Sequence, residues 1–293
     1  MSLNTLPDQQ TIEPAQFPEV FSKRDPNSHK GSFGSVGLIG GADGMTGAII
    51  LAGRAALKAG AGKVFVGFAQ EELPLPYDPL MPELMLRPAQ VLLHEAKNIT
   101  AWAIGCGLGE LPTSQRLLRE LFINRKGAAL VIDADALNAL AHESVAPTWG
   151  AGVVVLTPHP AEAARLLNTT TAIIQNDRPV AARTLAKRYR CWVVLKGSGT
   201  VVCAPDLTWQ LNVNGNVGLA TGGTGDVLAG VIASLLAQGI TTPQAICAAV
   251  WLHAAAADLL VRNGLGPIGM TASDLLNAIR DLRNQGQLSS VQV

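Results

Sequence analysis

The stretch Asn214–Gly239, NGNVGLATGGTGDVLAGVIASLLAQG, holds a single charged side chain, Asp226, just after a run of glycines. Val227, Leu228, Val231, Ile232, Leu235 and Leu236 recur at three- and four-residue intervals, which is one apolar helix face, and Gly239 supplies a stop. A helix that starts near Thr224–Asp226 has unpaired backbone N–H groups and a partial positive charge at its beginning. Gly222, Gly223 and Gly225 carry no Cβ, so together with Thr224 they form a cradle that a bulky anion can approach closely. A carboxylate repels a phosphate, which leaves Asp226 with two readings. It caps the helix, or it acts as general base beside a phosphoryl group in transfer.

Other polar or glycine-rich motifs follow apolar runs directly. In VVLKGSGTVV, Lys196 ends such a run and precedes Gly197, Ser198, Gly199 and Thr200. It is either a solvated lysine in a turn, exposed without ligand, or a cation for phosphate oxygens with the Thr200 hydroxyl beside it. In DADALN, Asp133 and Asp135 cap a helix or hold Mg²⁺ through water. In TPHPAEAARLL, Pro160 and Glu162 suit a first helical turn, and His159 is a loop residue or a ligand contact. In GCGLGE, Gly105, Gly107 and Gly109 permit either a tight turn or close approach by a ligand. The loop after Ile39 lacks both the G-x-G-x-x-G spacing and a Walker lysine. No G-x-S-x-G elbow and no zinc-spaced His/Cys cluster occurs. Phosphate handling is the chemistry these motifs share.

The elements that must position them follow from periodicity. Short apolar runs predict strands at Val36–Ile39, Val64–Gly67, Ala101–Ile104, Ala129–Ile132, Val153–Leu156, Trp192–Leu195 and Thr200–Cys203. Helices are expected at Gly47–Ala59, Ser114–Ile123, Ala134–Ala141, Ala161–Leu167, Asp177–Arg190, Thr242–Arg262 and Thr271–Leu282, besides the one after Gly225. Thr242 is placed as a cap before a first-turn Pro243, and the Pro-rich Glu71–Pro88 as a surface loop with a short strand. Alternating strands and helices predict an α/β fold with a mainly parallel sheet covered on both faces, and ligands gather beyond the carboxyl ends of its strands. The chain has 293 residues, 48% hydrophobic and 15% charged, with formal net charge zero, which argues against a nucleic-acid or polybasic membrane surface. Cys106, Cys191, Cys203 and Cys247 are scattered and read as reduced core thiols. With no signal peptide and each apolar run broken before membrane-spanning length, a cytoplasmic protein is expected.

Taken in order, HKGSFGSVGLIGG, MTGAIILAGRAALKAGAG, GCGLG, VIDADALN, LTPHPAEAARLL, VVLKGSGTVV and the Asn214–Gly239 stretch resemble the ADP-dependent NAD(P)H-hydrate dehydratases. The resemblance spans His29 to Arg280. It implies a ribokinase-like three-layer αβα sandwich in one catalytic domain, residues 29–293, after an extension, residues 1–28. It further implies ADP-dependent dehydration of the S epimer of hydrated NADH or NADPH (NADHX, NADPHX), with release of AMP and phosphate. By matching position, Lys196, Gly197, Ser198, Gly199, Thr200 and Gly225 would contact the adenine nucleotide. Ala48, Gly107, His159 and Asp226 would contact the hydrated nicotinamide nucleotide. Gly222, Gly223, Thr224 and Gly225 would form the anion hole and Asp226 would be the base. Mg²⁺ would accompany ADP or ATP, and a homotetramer is the usual assembly. Cys106 and Val217 stand where such proteins usually carry proline, and Ala161 where they carry glycine. None of the three departures is expected to touch Asp226. Two rival readings remain: a small-molecule kinase of the same superfamily, and a nucleotide-binding protein without catalysis.

Overall fold

In the computed structural model of the protein, residues 10–95, 97–109, 111–143 and 147–288 are described. Among them, one ten-stranded sheet comprises β1 (Gln10–Thr11), β2 (Ser35–Gly40), β3 (Lys63–Phe68), β4 (Met85–Pro88), β5 (Ala101–Ile104), β6 (Ala129–Ile132), β7 (Val154–Leu156), β8 (Trp192–Leu195), β9 (Thr200–Cys203) and β10 (Trp209–Asn212). The order across the sheet is β4-β3-β2-β5-β6-β7-β8-β9-β10-β1. Strand β9 runs against both neighbours, and every other pairing is parallel. The helices are α1 (Thr46–Lys58), α2 (Ala89–Glu95), α3 (Leu111–Asn124), α4 (Ala134–Ala141), α5 (Pro160–Leu167), α6 (Thr171–Asn176), α7 (Arg178–Tyr189), α8 (Thr224–Ala237), α9 (Thr242–Arg262) and α10 (Ala272–Leu288). The seven expected strands and the longer helices are present. Sequence periodicity missed β1, β10, α2 and α6, each too short to show a period.

Strand residues alternate between two cores, as a sheet covered on both faces requires. Val36, Leu38, Val64, Val66, Ala103, Val131, Val155 and Val194 face the layer that holds α1, α8, α9 and α10. Ile39, Trp102, Ile104, Leu130, Ile132, Leu156, Val193 and Leu195 face the layer that holds α2 to α7. Residues ahead of His29 are woven into the first layer. Strand β1 pairs with β10, Ile12, Phe17 and Val20 are buried, and Phe17 and Phe21 pack against Trp251.

Helix α9 differs from expectation, being long and apolar enough by length and composition to cross a membrane. Here it is a core helix, with Ala245 to Val250 and Leu252 to Ala257 buried against α8 and α10. Its cap residue is Thr241, one position earlier than expected, whose N–H and hydroxyl meet the Glu19 carboxylate at 2.9 and 3.1 Å.

Candidate functional site

The chain leaves β2 toward β3 and β4, then returns to β5 on the other side of β2. A crevice opens at such a reversal, beyond the carboxyl ends of the two strands. Backbone bonds tie the two loops there. Gly41 N–H donates to the Cys106 carbonyl at 3.0 Å and Ala42 N–H to the Gly107 carbonyl at 2.7 Å. Gly107 has φ +58°, and a Cβ on it would lie 2.8 Å from Met45 and 3.2 Å from the Ala48 methyl. Ala48 and Gly107, far apart in sequence, therefore share one wall.

Helix α8 reaches this crevice as the central helix of its layer, buried along nearly its whole length. A Cβ on Gly230 would lie 2.1 Å from the Ala52 carbonyl oxygen, so α1 and α8 approach as closely as backbone allows. Ser234 Oγ donates to the Ala56 carbonyl at 2.8 Å across the same contact. The start of α8 is also fixed. Thr224 Oγ1 lies 2.9 Å from the Leu219 carbonyl and 3.0 Å from that of Thr221, and the Thr224 carbonyl is 2.8 Å from His253 Nε2. Gly223, at φ +91°, is the cap residue. Asp226 sits inside the first turn, so the capping reading of this carboxylate does not hold. Gly222 has open space where a side chain would be, which leaves the cradle accessible.

A polar cluster lies beside that turn. Asp133 follows β6 and makes no side-chain cap bond to α4, contrary to one expectation. It accepts instead from Lys196 Nζ at 2.5 Å. Asp135 accepts from Gly109 N–H at 3.0 Å and so braces the Gly105–Gly109 loop. His159 does cap α5, through Nδ1 accepting from Ala161 N–H at 3.1 Å, and Glu162 accepts from His159 N–H at 2.7 Å. This pattern puts the proton of a neutral His159 on Nε2, 3.3 Å from Glu162 Oε1. Lys196 Nζ is 4.0 Å from the other Glu162 oxygen. A Cβ on Gly225 would lie 3.4 Å from Lys196 Nζ and 3.9 Å from Asp133 Oδ2. The turn of α8 and the ends of β6, β7 and β8 thus meet at one place.

Lys196 departs from the sequence reading. Its side chain is 17% exposed and held by a carboxylate, so it is no free cation in solvent. The ends of β6 and β8 meet only in space, which no local pattern announces. Gly197 and Ser198 are exposed at the rim, and Thr200 Oγ1 donates to the Gly197 carbonyl at 3.0 Å, closing the turn on itself. Cys106 also departs from expectation. Its sulfur, the Asp133 carboxylate and the Asp226 carboxylate lie within 4.8 Å of one another, so the substitution at this position does reach Asp226. Among the described residues all four cysteines are buried free thiols, as expected.

Burial governs the acidities here. It pushes the Asp226 carboxyl up to about 6, opposed by the Cys106 thiol and Lys196 and aided by Asp133. It pushes Glu162 up to about 7 against the pull of Lys196. His159 is lowered by burial and by Lys196 and Arg165, against the pull of Asp133. His253 is lowered to about 4 by burial, so it donates from a neutral ring to Thr224. Lys196 is raised because Asp133 and Glu162 outweigh its own desolvation. A carboxylate near 6 at the mouth of an anion cradle is poised to accept a proton near neutral pH. Sequence reasoning missed Glu162 as a member of the cluster and His253 as the clamp on α8. The only local signals were a charged residue two positions after Pro160 and a histidine inside an otherwise apolar helix.

A family model described as NAD(P)H-hydrate dehydratase matches residues 36–281. The chain belongs to this family. It is 44% identical over 272 residues to an ADP-dependent (S)-NAD(P)H-hydrate dehydratase from Neisseria meningitidis, covering 92% of each chain. To the bifunctional NAD(P)H-hydrate repair enzyme of Escherichia coli it is 40% identical, and there it spans 52% of the longer protein. The crystal structure of the ADP/ATP-dependent NAD(P)H-hydrate dehydratase of Bacillus subtilis, co-crystallised with ATP and Mg²⁺, superposes with TM-score 0.85 at 30% identity. The match covers 94% of this chain and 98% of that one. The ribokinase-like α/β fold expected from the sequence is thereby established.

Proposed function

We propose that this dehydratase-family chain restores NADH and NADPH from their S hydrates, using ADP and releasing AMP and phosphate. The observation that carries the reading is Asp226, a half-buried carboxylate raised to about 6, in the first turn of α8 beside open glycine backbone. The C6 hydroxyl of the hydrate gives its proton to Asp226 as its oxygen attacks the β-phosphorus of ADP. The P–O bond to AMP breaks, and the N–H groups of Gly222, Gly223 and Gly225 receive the charge on the transferring group, that of Thr224 being turned to the Thr221 carbonyl at 3.5 Å. The ring nitrogen then pushes its electron pair toward C6, the C–O bond breaks and phosphate leaves. The N1=C6 iminium so formed gives up a C5 proton to the departing phosphate, and the C5–H electron pair restores the C5=C6 double bond of the dihydropyridine. Ala48 and Gly107 wall the side on which the nicotinamide would lie, and His159, whose Nε2 is 3.3 Å from Glu162 Oε1, would contact the same nucleotide from the start of α5.

Mg²⁺, when bound with the nucleotide, would neutralise diphosphate charge. Asp133 offers the hard oxygens it prefers, the Cys106 sulfur is too soft to serve, and Asp226 is left to take the proton. No step above passes through the ion. An ordinary kinase would use the same base and cradle but leave phosphate on its acceptor. Incubation with hydrated NADH and ADP, or ATP, followed at the reduced-nicotinamide absorbance, separates the two. AMP, inorganic phosphate and NADH should form in equal amounts. Phosphate retained on an organic product, or no NADH from the S hydrate, would refute the dehydratase reading.

A further inference from the structure

We propose that Arg178 is a phosphate-contacting residue of the adenine-nucleotide site. The inference rests on the nucleotide reading of the Lys196–Thr200 loop. Lys196 was the obvious cation for that role, but its ammonium is engaged by Asp133 at 2.5 Å with Glu162 behind it. Arg178 opens α7, and its guanidinium lies directly under the loop. Nη2 donates to the Leu195 carbonyl at 2.9 Å. A Cβ on Gly197 would lie 2.3 Å from Nη1, and Gly197 has φ +141°. The missing side chain at Gly197 is therefore a window through which the guanidinium faces the loop backbone.

Arg178 is less fully matched than Arg54 or Arg125, a shortfall it shares among the described residues with Arg283, whose Nη1 is also buried without a partner; what sets Arg178 apart is its place against the Leu195–Gly197 backbone. Arg54 is matched by both oxygens of Asp78, and Arg125 donates to two carbonyls, of Ala128 and Trp149. Arg178 has one carbonyl, a buried Nε with no partner, and no carboxylate among the described residues. A guanidinium held beside exposed glycine backbone with donors to spare suits a doubly or triply charged phosphate, which accepts several N–H bonds at once. Loop residues Gly197 and Ser198 would supply the backbone side of the same contact. Arg178 would act in binding and orientation of the nucleotide, and no proton or bond moves at it.

The test is calorimetric titration of the full chain and its Arg178→Gln and Arg178→Lys variants with ADP and with adenosine, alongside their melting temperatures. Loss of a charged hydrogen-bond pair should weaken ADP about 10- to 100-fold in Arg178→Gln. Adenosine, which has no phosphate, should change less than about twofold. Arg178→Lys should recover part of the ADP affinity, because the charge remains while the planar fork is lost. In turnover measured over a range of ADP concentrations, Arg178→Gln should raise KM for ADP far more than it lowers kcat. Equal losses for ADP and adenosine would mean that Arg178 merely props the loop, and unchanged ADP affinity in Arg178→Gln would remove it from the site. Either result overturns the proposal. Turnover of hydrated NADH by the unaltered chain decides the dehydratase reading separately. A chain that binds ADP through Arg178 yet forms no NADH loses that reading and keeps this inference.

Discussion

Replacing Asp226 by Asn should make the protein more stable and far less active at pH 8. Burial raises this carboxyl from an ordinary 3.8 to about 6, so the fold favours its protonated form. Its stabilising contribution is fully present below 3.8 and is lost as pH rises through 6. A rise of that size corresponds to about 3 kcal/mol against the ionised form. The positive start of α8 returns about 1 kcal/mol, leaving about 2 kcal/mol of destabilisation at pH 8. Asparagine is neutral throughout and escapes it. Asp226→Asn should therefore melt about 4 °C higher at pH 8 and show no gain near pH 4. Turnover should fall by about two to four orders of magnitude while ADP still binds. In the unaltered protein, activity should drop about tenfold per pH unit below 6. Cys106→Ala should move that limb upward, because the thiol beside Asp226 lowers its pKa. Melting curves across pH and absorbance-monitored turnover measure both halves. Near-normal turnover in the Asn variant, or a melting gain equal at pH 4 and pH 8, would refute the reasoning.

Two further substitutions test the frame that holds the site. Lys196→Met strands Asp133, which is 3% exposed, as an unpaired buried charge, so unfolding in denaturant should show a loss of about 3–5 kcal/mol. A loss below about 1 kcal/mol would mean the pair is not structural. Gly230→Ala places a methyl 2.1 Å from the Ala52 carbonyl, and should destabilise by about 1–3 kcal/mol despite the better helix propensity of alanine. A stability gain in the same unfolding measurement would show that α1 and α8 separate without penalty.

Most of the sheet was legible because its strands are buried on both faces and read as unbroken apolar runs. Strand β10, with Gln210 between Trp209 and Leu211, has no such run, and two-residue β1 has no pattern at all. The motifs around the crevice were legible too, since each sits where an apolar run stops. What could not be read were partnerships across the fold. Lys196 and Asp133 are 63 positions apart, and His253 meets Thr224 from another helix. Type and spacing told that Asp226 stands at a helix start. Only packing told that Gly223 takes the cap and leaves the carboxylate to the Cys106 thiol and the crevice.

The burial of α8 bears on how the molecule is made. This helix packs on β2, β5, β6 and α1, all encoded well before it. During synthesis those elements emerge first and must wait with one apolar face uncovered until residue 237 has left the ribosome. Strand β1, made before every other described strand of the sheet, likewise has no pairing partner until β10 exists. Contacts of such long sequence separation slow folding and prolong exposure to aggregation. The segment that brings Asp226 also closes the core, so a chain stopped short of α8 has neither a catalytic centre nor a finished fold.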